Sequence, residues 1–200
     1  MKYLFTLLCI FYCKISCLAT DFTGIYQYSK GINKATGQIY LFQVKSDTLF
    51  FIIQTLSGAP DYHSNSIKGF AKIDSNKADY FNNKNCHIHF DLSQSTLKVS
   101  EDTICKSEFT SNGLYKKMPQ KMKKSPMMMS DFTEKPVKPP KDSMLFYSVP
   151  HKNSDSKWVH CKEGQLKIID EFQSYFLVEH KSYKDDFLWI PKHKLFPNKK

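Results

Sequence analysis

His87 and His89 stand two apart in the run Cys86-His-Ile-His-Phe90, and alternate residues of a β-strand point to one face. Imidazoles so placed can serve as two metal ligands, with His63 as a third. A strand on the outside of a barrel presents the same pair to solvent, and that bland arrangement is the expectation, with no metal site. Met118, Met122 and Met127 to Met129 offer thioethers that suit copper(I). On a tether they form an apolar patch instead, and no cofactor is expected. Cys161 follows His160, but neighbours on a strand face opposite ways and do not share a proton, so Cys161 reads as a packed thiol. Asp185 and Asp186 beside Lys184 make a charged turn with no second carboxylate partner for hydrolysis. A Gly-rich phosphate loop, a G-x-S-x-G elbow and an H-E-x-x-H helix are all absent from the sequence. The expectation is a protein with no catalytic residues, not an enzyme.

The elements that carry these residues follow from length and pattern. Two hundred residues suit one large or two small domains. An apolar fraction of 41% with 14% aromatics excludes a disordered chain. The net charge of +10 would invite a nucleic-acid reading. Every basic residue is Lys, however, and the arginine fork that reads bases and phosphates is missing. No nucleic acid is expected; the lysines read as a solvated surface suited to an anionic envelope.

Residues 1–19 combine an early lysine, a hydrophobic stretch from Tyr3 to Cys13 and small residues before Thr20, the pattern of a secretory signal too short to span a membrane. Lys14 sits where a lipid-attachment signal at Cys17 would want an aliphatic residue, so soluble export to the periplasm or the outside is expected, with no integral membrane segment. Loss of Lys2 and Lys14 with the signal lowers the charge from +10 to +8. Three cysteines then remain, Cys86, Cys105 and Cys161, which in an oxidising compartment means one bridge and one spare. Cys86 and Cys105 bracket a hairpin, and a disulfide between them would contribute about 3 kcal/mol by closing a loop in the unfolded chain.

Between Lys116 and Ser143 lie eight Lys, five of the nine Pro and five of the seven Met, so residues 118–142 read as a linker. On either side the pattern is all-β. Residues 20–117 offer eight short runs, beginning at Gly24, Gln38, Thr48, Ile67, Ala78, Cys86, Thr96 and Gly113, enough for a closed antiparallel barrel. Pairing Ile88 with Val99 and Phe90 with Leu97 puts Cys86, Ile88, Phe90, Leu97 and Val99 on one face and His87 and His89 on the other. Phe22-Thr-Gly24-Ile-Tyr26 and Ser111-Asn-Gly113-Leu-Tyr115 match as the first and last strands of such a barrel would. Phe42, Phe50, Phe51, Phe70 and Phe90 are available to fill its interior, which argues against a small-ligand carrier.

The Gly-x-Tyr first strand, the Cys-x-His-x-Phe strand, the hairpin to a second Cys and the final Gly-Leu-Tyr-Lys strand resemble small exported barrels of the calycin type, similar to periplasmic lysozyme-inhibitor-like proteins. The likeness covers residues 20–117 and implies that fold and compartment. Inhibition of a lysozyme-like wall-degrading enzyme is the alternative function it implies, opposed by the long-range repulsion between a +8 protein and basic lysozymes. Residues 143–200 resemble bacterial Src-homology-3-like domains. The likeness rests on Tyr147-Ser-Val-Pro150 opening a long loop, Lys162-Glu-Gly164 as a turn, the strands QLKIID and YFLVEH, and Leu188-Trp-Ile-Pro-Lys192 leading to Leu195. Leu188 stands where that family often has Gly.

The second resemblance implies a recognition module for cell-wall peptide or a protein partner, with Tyr147, Trp158, Tyr175, Tyr183 and Trp189 as candidate ligand-binding residues. For Trp189 the core role is the expectation over the groove, since a barrel this small needs its aromatics for burial. The linker's own Lys-Pro-Val-Lys-Pro-Pro-Lys run (135–141) could occupy that groove in cis, but a Lys- and Pro-rich stretch reads first as a solvated tether. The sequence therefore leads to an exported, non-catalytic envelope-binding protein whose partner is peptidoglycan or an envelope or secreted protein.

Overall fold

The computed structural model describes residues 21–29, 35–59, 64–82, 86–102, 111–122 and 135–197. His63, Cys105, Met127 to Met129 and the expected signal peptide lie outside them. Eight strands, β1 (Gly24–Ser29), β2 (Thr36–Lys45), β3 (Thr48–Leu56), β4 (Ser64–Asp74), β5 (Lys77–Phe81), β6 (His87–Leu92), β7 (Thr96–Glu101) and β8 (Gly113–Lys117), pair in chain order into a closed antiparallel barrel. The barrel closes where β1 meets β8, with Tyr26 opposite Lys117 and Gln27 opposite Lys116. The repeated motif of these two strands has a physical purpose. In each, the tyrosine hydroxyl donates to the carbonyl four residues earlier, Tyr26 to Phe22 at 3.0 Å and Tyr115 to Ser111 at 2.9 Å. Burial pushes the Tyr26 phenol up to about 12 and the Tyr115 phenol higher still, so both remain donors at any physiological pH.

Inside the barrel, Tyr26, Ile39, Leu41, Leu49, Phe51, Ile53, Ile88, Phe90, Leu97, Val99 and Tyr115 form one packed core, as an eight-stranded cylinder of this width allows. Of the five phenylalanines expected there, Phe51 and Phe90 are inside. Phe42, Phe50 and Phe70 are on the outer face, packed in a different cluster. The β6–β7 register is two residues from the expected one, with Ile88 opposite Glu101, Phe90 opposite Val99 and Leu92 opposite Leu97. The turn is centred one residue later than that pairing implies: Ser93 N–H donates to the Thr96 carbonyl at 3.0 Å and the Ser93 hydroxyl accepts the Thr96 N–H at 2.9 Å, which leaves Gln94 and Ser95 at the tip. A shift of two preserves side-chain parity, so the inward set is unchanged.

The second sheet contains β9 (Lys135–Val137), β10 (Ser143–Tyr147), β11 (Ser156–His160), β12 (Leu166–Phe172), β13 (Tyr175–His180) and β14 (Leu188–Pro191), in the spatial order β11-β10-β14-β13-β12-β9. A short helical turn, α1 (Lys192–Leu195), follows. Part of the expected linker is thus a strand: Val137 sits opposite Leu166 and Pro136 opposite Lys167 at the sheet edge, where a proline is tolerated because its missing N–H faces away from the ladder. Gly164 takes a φ of +73° in the turn before β12, a conformation that favours glycine.

This sheet buries both faces. One packs Phe146, Val159, Cys161, Leu166, Val178, Leu188 and Ile190 beneath Leu195. The other packs Val149, Ile169, Leu177, Phe187 and Trp189 against Ile25, Tyr40, Phe42, Phe50 and Ile52 on the outside of the barrel. Phe50 meets the Trp189 ring edge-on at 5.8 Å and Phe172 at 5.6 Å, and Phe187 stands edge-on to Phe42 at 5.0 Å. An ion pair between Lys68 of β4 and Asp170 of β12 crosses the same boundary. Met118 and Met122, from the start of the expected tether, pack at its margin.

Candidate functional site

Where the barrel and the second sheet part company they leave a groove of about 430 Å³. Phe42 and Val44 of β2 form one wall; Tyr147, Phe187 and the loop 148–155 form the other. That loop is held in shape by its own backbone. Ser148 N–H donates to the Asp155 carbonyl at 2.8 Å, His151 N–H to the Val149 carbonyl at 2.7 Å, and the Ser154 hydroxyl to the His151 carbonyl at 2.9 Å. Val149 is buried beneath it as an anchor.

Charge sits on the groove's rim. Lys157 of β11 pairs with Asp186 and holds its ammonium 4.1 Å from the centre of the Tyr183 ring, a cation–π arrangement. The Tyr183 ring in turn lies 5.3 Å from that of His180. His180 is buried, and its Nε2 faces the His160 carbonyl at 3.2 Å while its Nδ1 accepts the Ser182 N–H at 3.1 Å. That pattern is met by the neutral imidazole. Desolvation lowers its pKa below the ordinary 6.5, with the Lys157 and His160 charges adding to the effect and the His160 carbonyl opposing it.

The five aromatic candidates separate by position. Tyr147 lines the groove and packs edge-on against Tyr175 at 6.1 Å. Tyr183 is on the charged rim. Trp158 lies opposite Leu145 on β11, an edge of the sheet, with 70% of its surface in water. By strand alternation it shares a face with Ser156, which lines the groove. Trp189 is fully buried between barrel and sheet, where its indole N–H has no hydrogen-bond partner among the described residues. It occupies the core position and presents no surface to a ligand.

The charged groups Asp155, Lys157 and Asp186 were not among the sequence candidates. Asp186 was visible as part of a charged turn, but its partner is Lys157, 29 residues earlier, a pairing that only the fold creates. Cys161 is buried, its thiol pKa raised by that burial, and its Sγ faces the Val159 carbonyl at 3.4 Å. His160 is exposed on the opposite side, so the two form no nucleophile and base. Cys86 is buried at the barrel core; its expected partner Cys105 is outside the described residues. No helix among the described residues is long and apolar enough to cross a membrane.

Comparison of the chain with protein-family models, with curated proteins and with solved structures returns no match.

Proposed function

We propose that this chain is an exported, non-catalytic envelope protein that binds cell-wall peptide along the face running from Trp158 to the Tyr147 groove. The observation that carries this reading is Trp158, a large aromatic side chain left 70% exposed on an edge strand. An edge strand offers free N–H and C=O groups to which an extended peptide adds as a further strand. An exposed Trp beside it supplies the flat apolar surface that anchors such partners. The groove adds selectivity: apolar walls from Phe42 and Phe187, and on the rim the paired Lys157 and Asp186, which match the amino and carboxylate groups of a short zwitterionic peptide. The Src-homology-3-like character of residues 143–200 and the calycin-like character of residues 20–117 belong to the same reading, as does export through residues 1–19.

A fluorescence titration tests it. The chain has two tryptophans, and Trp189 is already fully buried, so a change in emission on adding purified wall peptide reports on Trp158. A saturable blue shift that disappears in Trp158→Phe supports the proposal. An unchanged spectrum with wall peptide, but a shift with an extract of envelope proteins, assigns the same face to a protein partner.

A further inference from the structure

On the barrel wall, β5 and β6 bring together a second group of polar side chains. Asp79 lies directly across from His89, and Phe81 across from His87. Because Ile88 and Phe90 are committed to the interior, alternation turns His87 and His89 outward together, with ring centres 3.9 Å apart. Asp79 Oδ1 is 2.6 Å from His89 Nδ1 and 3.6 Å from His87 Nε2. Asp102, just beyond β7, reaches the other nitrogen of each ring: its carboxylate oxygens are 3.7 Å from His87 Nδ1 and 3.8 Å from His89 Nε2. The Asp102 N–H donates to the His87 carbonyl at 3.0 Å, so the backbone that carries this carboxylate is tied to β6.

We propose that Asp79, His87 and His89 form a binding site for a divalent transition-metal ion of the zinc class, with Asp102 as a positioning residue. The three donor atoms lie within 4.8 Å of one another. Tetrahedral zinc with bonds of about 2.0–2.1 Å needs donors roughly 3.4 Å apart. The Asp79–His87 spacing of 3.6 Å already fits. The Asp79–His89 pair, now at hydrogen-bond distance, opens by less than an ångström when the proton leaves Nδ1. That proton moves to His89 Nε2, 3.8 Å from the Asp102 carboxylate, and the His87 proton sits on Nδ1, 3.7 Å from it; at these ion-pair distances the Asp102 charge favours both tautomers. Both rings then direct lone pairs at the metal, the arrangement by which an outer carboxylate fixes the tautomer of a ligating histidine. Two imidazoles and a carboxylate select zinc or copper over magnesium or calcium, which prefer all-oxygen shells. Three protein ligands leave a fourth position open to water or to a donor from a partner. The site is on the barrel wall and does not depend on peptide binding at the groove.

The test uses the full mature chain stripped with a chelator and titrated with Zn²⁺ by calorimetry, and with Co²⁺ by visible absorption. The expected result is one equivalent of Zn²⁺ bound and a ligand-field band for Co²⁺. His89→Gln and Asp79→Asn abolish both, with the far-UV spectrum unchanged. Asp102→Asn keeps the stoichiometry, weakens affinity about tenfold or more, and alters the imidazole tautomer seen in long-range ¹H–¹⁵N spectra of the metal-free protein. Equal Zn²⁺ binding by wild type and His89→Gln would assign the metal to other histidines and overturn the proposal. Absence of any stoichiometric binding by the wild type would reduce the cluster to surface hydrogen bonding.

Discussion

Phe50 and Phe51 are neighbours in β3, and both are completely buried, but in different places. Phe51 is inside the barrel against Tyr80 and Phe90, with ring centres 5.0 Å away in each case. Phe50 is outside it, among Phe42, Phe70, Phe172 and Trp189. Truncating a fully buried phenylalanine to alanine costs about 3–5 kcal/mol when the surroundings cannot collapse. For a chain of this length each kcal/mol lowers Tm by about 2–4 °C, so each variant should melt roughly 6–20 °C below wild type. Barrel and second sheet are held by one shared core, so Phe50→Ala should cost as much as Phe51→Ala. Were the interface a loose touch, Phe50 would be solvated whenever the halves part, and its loss would cost about 1 kcal/mol or less. Both tryptophans, Trp158 and Trp189, belong to the second sheet, Trp189 at its contact with the barrel, so urea unfolding followed by Trp fluorescence reports on that sheet and its contact and not on the barrel interior. Phe51→Ala, a change inside the barrel, should shift the fluorescence transition by the same amount as the circular dichroism transition. A fluorescence transition unmoved by Phe51→Ala, or a Phe50→Ala cost near 1 kcal/mol, would refute the shared core.

Three further outcomes follow from the geometry. The folded pKa of His180 is below the ordinary 6.5, so the unfolded chain takes up this proton first. Its contribution to stability is complete above pH 6.5 and is lost as pH falls from there through the folded value; His180→Gln should flatten that part of a plot of urea midpoint against pH. Tyr26→Phe and Tyr115→Phe each leave a carbonyl at the barrel seam without its buried donor, and each should cost about 1–3 kcal/mol in urea unfolding. At Gly69 an added Cβ would come within 2.4 Å of the Tyr80 ring, so Gly69→Ala should destabilise by about 1–3 kcal/mol through overpacking, and Gly69→Ala combined with Tyr80→Leu should recover part of it.

Strand positions in the barrel were legible because short runs separated by polar turns repeat eight times, and because the first and last strands carry the same motif. The face of each residue was less so. The run Leu49-Phe-Phe-Ile-Ile53 is apolar without alternation because β3 is buried on both sides, by the barrel interior and by the second sheet. Read alone, it places Phe50 inside; its unbroken apolarity is the signal that something covers the barrel from outside. Lys135-Pro-Val137 reads as tether because Lys and Pro dominate its neighbours, and only the open edge of β12 makes it a strand. The His87–His89 pair was visible in the sequence, but Asp79 and Asp102 join it through strand register and backbone pairing, which local pattern does not carry. Trp158 and Trp189 look alike as residues. Their difference in burial comes from β11 being at the sheet edge and β14 inside the sheet.

The most direct measurement of the proposed function is co-sedimentation of the full mature chain with purified peptidoglycan at low and high salt, beside Trp158→Ala. Charge-driven adhesion of a lysine-rich protein weakens as salt screens it, whereas a contact anchored by an aromatic side chain persists. Wild type should pellet in a salt-resistant way, and Trp158→Ala should lose about 30-fold in affinity, the scale of an anchor residue worth about 2 kcal/mol. Pelleting abolished by salt, or equal in the two proteins, would contradict the proposed function.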